Sequence, residues 1–195
     1  ADFYAPLRSG TDIAFLGGVP YVKMVEKYGQ KRLLARYEMN GKPTFQGIII
    51  VSQKSPLQNL SELTGKRFAF GDPNSTLSTL VPRYMLKKAG VTLDQLKGYE
   101  FLKNQQNVVF GVLFGEYAAG AVAQEVFDEY QARGLRALAL SPDISTHVFI
   151  ASNTLSADLV EKLQKAFYDL KKQPNGKTIL SAIGKDMTGF VPVKD

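Results

Sequence analysis

Twice in this chain a short apolar run ends in glycine and leads straight into a segment with helical spacing. Thr11-Asp12-Ile13-Ala14-Phe15-Leu16 closes on Gly17-Gly18, and Pro20 then opens a stretch in which Tyr21, Val22, Met24, Val25 and Tyr28 form an apolar face up to Gly29. Arg67-Phe68-Ala69-Phe70 empties into Gly71-Asp72-Pro73-Asn74-Ser75-Thr76, after which Leu77, Leu80, Val81, Tyr84 and Leu86 recur at helical spacing as far as Lys87, Lys88 and Gly90. Runs of this length are too short for a stable helix and suit buried strands. A glycine turn followed by a 3.6-residue period then reads as a strand feeding a helix. Proline is tolerated in the first helical turn, and glycine stops the helix after its last basic residues, so both helices have consistent ends.

The same alternation continues along the chain. A helix is expected over residues 3–9, a strand within 45–52 on the β-branched Ile48-Ile49-Ile50-Val51, and a helix over 55–63 on Leu57, Leu60 and Leu63. Further on, the spacing predicts a helix over 108–114, a strand at Gly120-Ala121-Val122, a helix over 125–133 and strands over 135–140 and 148–151. The clearest helix carries the stripe Leu159, Val160, Leu163, Phe167 and Leu170, with Ser156 as its N-cap and Asp158 in its first turn, and Pro174-Asn175-Gly176 ends it. Strands alternating with helices imply an α/β fold of mixed, mostly parallel sheets flanked by helices.

Composition removes several kinds of chemistry. There is no cysteine and only one histidine, His147, so thiolate metal sites, histidine metal clusters and cysteine nucleophiles are excluded, and no metal site or cofactor is expected. A Ser-His-Asp triad would rest on His147 alone, whose place at a strand start suits packing, and the carboxylates show no acid-and-base spacing. The chain is therefore read as non-catalytic. Its net charge of +6 favours anions by long-range steering. Basic residues are interleaved with acidic ones and no basic stripe alternates with aromatics, which argues against nucleic acid. No apolar run approaches the roughly 20 residues that span a bilayer, so any signal or anchor is expected outside these residues.

The segment from Phe68 to Ser78 is where ligand chemistry is most readable. A helix start presents unpaired amides at the positive end of its dipole, and the hydroxyls of Ser75, Thr76 and Ser78 add donors, which together make a cradle for an anionic oxygen. The plainer alternative is that Ser75 or Thr76 simply caps the helix. The loop lacks the lysine and glycine spacing of a Walker-type phosphate loop.

Three motifs in order resemble those of the phosphate/phosphite/phosphonate-binding proteins of ABC transporters. They are Asp12-Ile13-Ala14-Phe15-Leu16-Gly17 with Tyr21, then Leu63-Thr64-Gly65-Lys66-Arg67-Phe68-Ala69-Phe70-Gly71-Asp72-Pro73-Asn74-Ser75-Thr76 with Pro82, then Gly115-Glu116-Tyr117 leading to Ala119-Gly120-Ala121-Val122. The resemblance implies a two-lobed type II periplasmic binding protein, with residues 1–50 and 145–195 in lobe one, 51–144 in lobe two, and the chain incomplete at both ends. It also implies a periplasmic or extracytoplasmic setting, free or held by a membrane anchor in the full-length protein, in which the lobes close on a small oxyanion and deliver it to an ABC permease. In the family a tyrosine and a Ser-Thr pair grip the oxyanion, and Tyr21, Ser75 and Thr76 match. Three positions depart: Leu77 stands where the family has a third hydroxyl, with Ser78 at its following glycine; Gln105 replaces a cleft histidine; and Ala118 replaces an acid. These departures predict a weakly held, or larger and partly apolar, oxyanion in place of an aminoalkylphosphonate. The alternative is a periplasmic sensory domain of a membrane receptor such as a histidine kinase. A missing opening strand would leave a sheet edge for a homodimer to cover.

Overall fold

The computed structural model describes residues 10–193, and the helix expected over residues 3–9 lies outside them. The chain divides into two compact units, one running to Phe45 and resuming at Ser145, the other formed by Gln46–Ile144.

The first unit is built on a four-stranded sheet of order β1-β10-β2-β11, where β1 is Ile13–Leu16, β2 Arg32–Met39, β10 Val148–Ala151 and β11 Met187–Val191. Helix α1 (Gly18–Tyr28) follows β1 and buries Met24 with Leu16, Val148 and Ile150. Helix α5 (Ala157–Asp169) packs Val160 against Leu34 and Ala151, and α6 (Gly176–Ile183) sets Leu180 against Ala35 and Phe190. Ser156 caps α5 as the sequence suggests, accepting a 3.3 Å hydrogen bond from the Leu159 amide.

The second unit has a five-stranded sheet of order β6-β5-β7-β4-β8, with β4 Gly47–Ser52, β5 Arg67–Phe70, β6 Gly98–Phe101, β7 Ala119–Ala123 and β8 Leu135–Leu140. Strand β4 divides its apolar residues between the two faces. Ile49 and Val51 join a cluster with Val81, Met85 and Leu86 of α2 (Val81–Lys88), while Ile48 and Ile50 join Val108, Val109 and Val112 of α3 (Gln105–Leu113). Each of these isoleucines is worth roughly 1.5–3 kcal/mol of burial, and a strand covered on both faces has to be apolar throughout. The second unit also holds α4 (Gln124–Tyr130); apart from both main sheets, the short strands β3 (Thr44–Phe45) and β9 (Ile144–Ser145) form a two-stranded sheet.

The α/β fold with mixed sheets is as expected, but the strands are less parallel than their alternation with helices suggests. Within the two main sheets only β5–β6 and β5–β7 pair in parallel, whereas β1–β10, β10–β2, β11–β2, β4–β7 and β4–β8 are antiparallel. The reason is insertion. Strand β10, arriving after the whole second unit, slots in reverse sense between β1 and β2, and β4 enters the second sheet against the direction of its neighbours.

One local expectation changes, and β2, α6 and β11 stand where the sequence carries no reading. The helix expected over 55–63 is only the 3₁₀ turn Leu60–Leu63, capped by Asn59, because Ser55-Pro56 and the Asn59 and Glu62 side chains take the backbone into turns. Strand β2 has no two-residue alternation because its pairing with β10 shifts register between Phe149 and Ile150, leaving Leu34 as the extra residue of a bulge, and the consecutive Leu34 and Ala35 are both fully buried. Beyond Pro174-Asn175-Gly176 the chain re-enters a helix, α6, and ends on β11.

Candidate functional site

Strands β5 and β7 run side by side in the same direction, and their carboxyl ends carry the loop Gly71–Ser75 and the start of α4 respectively. Ligands of open α/β sheets gather at this end of the strands. The loop is tied by its own polar groups. Asp72 Oδ1 accepts from the Asn74 amide (2.7 Å), and the Asp72 carbonyl accepts from the Ser75 amide (2.9 Å) and from Thr79 Oγ1 (2.8 Å). Such bonding fixes the loop before any ligand arrives, which lowers the ordering cost of binding.

Helix α2 does not begin as a regular helix. Thr76–Leu80 forms a π-turn, with the Leu80 amide donating to the Ser75 carbonyl at 3.0 Å and the Val81 amide donating to the Thr76 carbonyl. Single π-turns recur at functional sites because they widen the helix and re-aim its side chains. Ser75 caps the turn, its Oγ accepting from the Ser78 amide at 3.1 Å. Capping and ligand binding do not compete here. The serine oxygen accepts from Ser78 while its own hydrogen stays available to donate.

Gln105 opens α3, and its Oε1 accepts a 2.5 Å hydrogen bond from the amide of Ala123, the last residue of β7. An amide donor on that side requires the carbonyl end of the glutamine to face it, so Gln105 Nε2 is left as a neutral donor. A Cβ placed on Gly71 would run into Ser78 Oγ, with Ser78 Cβ at 2.8 Å and Gln105 Cγ at 3.8 Å. Gly71, Ser78 and Gln105 therefore share one small space at the carboxyl end of β5.

The other expected site residues stand as follows. Thr76 opens the π-turn, and Leu77 behind it is buried, 4% exposed, with its carbonyl packed on Gly47 so closely that a Cβ there would lie 2.8 Å from it. Leu77 thus adds no accessible apolar wall, contrary to expectation. Ala118 is displaced further. It sits at the amino end of β7, its amide donating to the Arg67 carbonyl (3.0 Å) and its side chain packed on the cluster of Ile49 and Phe68, so it is at the opposite end of the strand from the cradle. Nothing about ligand charge follows from Ala118. The neighbouring Tyr117 is equally structural: it is buried, the Arg67 guanidinium lies 4.8 Å over its ring, and burial raises its phenol pKa first of all causes.

Tyr21 belongs to the other unit, in the first turns of α1, and packs on the cluster of Leu16, Met24, Val148 and Ile150. His147 immediately precedes β10 and stacks with Phe15, Phe45 and Tyr37 at centroid distances of 5.3, 5.6 and 5.8 Å, with Tyr37 Oη 3.3 Å from its Nδ1. Burial lowers its pKa from the ordinary 6.5, which favours the neutral ring. The histidine packs, as its position predicts. Among the described residues no group of three or more His, Asp or Glu side chains converges as a metal site.

A family profile described as the periplasmic substrate-binding protein of phosphonate ABC transporters matches residues 3–195. The chain belongs to that family. It is 25% identical over 202 residues to the phosphonates-binding periplasmic protein of Escherichia coli, covering 93% of this chain and 60% of the relative, so it spans less than two thirds of that protein's length. Two solved structures share its fold: XAC2383 from Xanthomonas citri bound to chloride ion (TM-score 0.83, 21% identity, 98% of this chain and 74% of that one), and PhnD1 from Prochlorococcus marinus in complex with methylphosphonate (TM-score 0.81, 21% identity, 98% and 76%). Family members are periplasmic, and among the described residues no helix is long and apolar enough to cross a membrane.

Proposed function

We propose that this chain is the substrate-recognition part of a periplasmic solute-binding protein that holds a small oxyanion of the phosphonate class for an ABC permease, without transforming it. The observation that carries the reading is the start of α2: a fixed Gly71–Ser75 loop, a widened first turn and the Ser75 and Thr76 hydroxyls at the positive end of a helix dipole. Family membership over residues 3–195 supports the same reading and favours transport over reception. The methylphosphonate complex of PhnD1 supplies the first ligand to try.

Donors at the cradle are hydroxyls, amides and the Gln105 carboxamide, none of which changes charge near neutrality. Recognition then rests on hydrogen bonds to a tetrahedral anion. Titration calorimetry and thermal shift with methylphosphonate, phosphite, inorganic phosphate, 2-aminoethylphosphonate, sulfate and acetate test the reading, because a ligand that binds only the folded state raises its melting temperature. A phosphorus oxyanion should bind most tightly and acetate least. No response to any phosphorus oxyanion, or an equal response to acetate, would overturn it.

A further inference from the structure

Among the described residues only two buried side-chain polar atoms have no hydrogen-bond partner, Arg36 Nε and Ser78 Oγ. Ser78 is 1% exposed and lies in the first turn of the π-turn that opens α2. Its backbone is fully engaged, the amide donating to Ser75 Oγ and the carbonyl accepting from the Gly71 amide at 3.1 Å. Only the hydroxyl is left over. A serine inside a helix can turn its hydroxyl onto the carbonyl four residues back, but in a first turn that carbonyl lies outside the helix. An unpaired buried hydroxyl is costly, and in a loop as thoroughly bonded as Gly71–Ser75 the defect calls for a partner that arrives from outside.

Resting on the proposed oxyanion site, we propose that Ser78 is a further ligand-binding residue, whose hydroxyl donates, together with Gln105 Nε2, to an acceptor oxygen of the bound oxyanion beside Gly71. The geometry has three parts. Gly71, lacking a Cβ, leaves the space that Ser78 Oγ occupies, and the Gln105 side chain bounds the same space. The Ser78 hydroxyl gives up no hydrogen bond when it turns about its Cα–Cβ bond towards the ligand, so only a staggered-to-staggered rotation separates the free and bound positions. Gln105 is held with its donor end outward by the Ala123 amide, so the two donors are neutral and fixed in sense. The hydroxyl that Leu77 cannot supply at its own position is thereby supplied one residue later.

The test is calorimetry with methylphosphonate on the unmodified chain, Ser78→Ala and Ser75→Ala, with melting temperatures of the ligand-free proteins measured alongside. Ser78→Ala should weaken binding by about tenfold to a hundredfold, the range for one hydrogen bond to a charged acceptor. Its ligand-free melting temperature should be unchanged or higher, since an unsatisfied group has been removed. A merely structural serine would give the reverse pattern, a lower melting temperature with unchanged affinity, and that result overturns the proposal. If Ser75→Ala weakens binding and Ser78→Ala does not, the cradle stands and this inference alone falls. If neither variant changes the affinity, the cradle itself is misplaced, and if the unmodified chain binds none of methylphosphonate, phosphite or phosphate, both readings fall.

Discussion

The two glycine-ended strands, β1 and β5, follow the same sequence grammar and are put to different uses. At Gly17 the missing Cβ makes room for an imidazole: a Cβ there would lie 2.9 Å from His147 Nε2 and 3.1 Å from its Cδ2, and the glycine caps α1 with no side-chain hydrogen bond. At Gly71 the same vacancy seats a hydroxyl and borders a carboxamide, and the helix beyond is capped by Ser75. A strand-glycine-helix unit therefore specifies backbone geometry only. Whether the turn packs or binds is decided by residues delivered from elsewhere, His147 in one case and Gln105 with Ser78 in the other.

Substitutions at the two turns probe that contrast. The largest effect is expected from Gly71→Ala, whose methyl group would overlap Ser78 Oγ; stability should fall by about 1–3 kcal/mol and methylphosphonate binding should be lost. Adding Ser78→Gly should restore much of the stability but not the affinity, as read by denaturant midpoints and calorimetry. Ser75→Ala comes next. Loss of the cap should cost about 1 kcal/mol, and loss of the hydroxyl should weaken methylphosphonate binding about tenfold or more. Gly17→Ala should cost about 1 kcal/mol, the low end for overpacking because the imidazole can pivot, and His147→Ala in the same chain should recover part of it. If the double variant is no more stable than Gly17→Ala alone, the close approach to the ring is not what the glycine serves.

The smallest effect concerns pH. Burial lowers the His147 pKa below 6.5 in the folded protein, so the unfolded chain binds the extra proton more readily. Stability from this source is fully present above about pH 6.5 and is lost as the pH falls from there through the lower folded value. Urea midpoints should therefore decline on mild acidification, and His147→Phe should flatten that part of the profile. A wild-type profile that rises over the same interval would contradict the burial described here.

How much of this was legible in the residues follows the range of the interactions. The cradle was readable because Gly71–Ser75 is bonded within itself, through Asp72, Asn74, Ser75 and Thr79, and such turn chemistry is written locally. Ser78 was readable as a hydroxyl, but its lack of a partner appears only when Gly71 closes over it. The orientation of the Gln105 amide depends on Ala123, 18 residues away, and could not be inferred from position. The place of Ala118 is not legible, because a residue before a strand lies at the ligand end or the far end according to that strand's direction, and direction is a property of the sheet. Strand β2 is illegible for a related reason: its pairing with β10 shifts register at Leu34, so consecutive Leu34 and Ala35 are both buried and the polar-apolar rhythm of a half-exposed strand never arises.

The π-turn at Thr76–Leu80 has one further consequence. A bond closing over five residues instead of four stores one surplus residue in the helix, so this is a place where the chain can be shortened without twisting everything beyond it. Deleting a residue from a regular helix swings the following face by about 100° and takes its apolar side off the core. Deleting Leu77 here would instead convert the wide turn to an ordinary one, with Val81, Met85 and Leu86 still seated, and would leave four consecutive hydroxyl residues, Ser75, Thr76, Ser78 and Thr79, at the mouth of the helix.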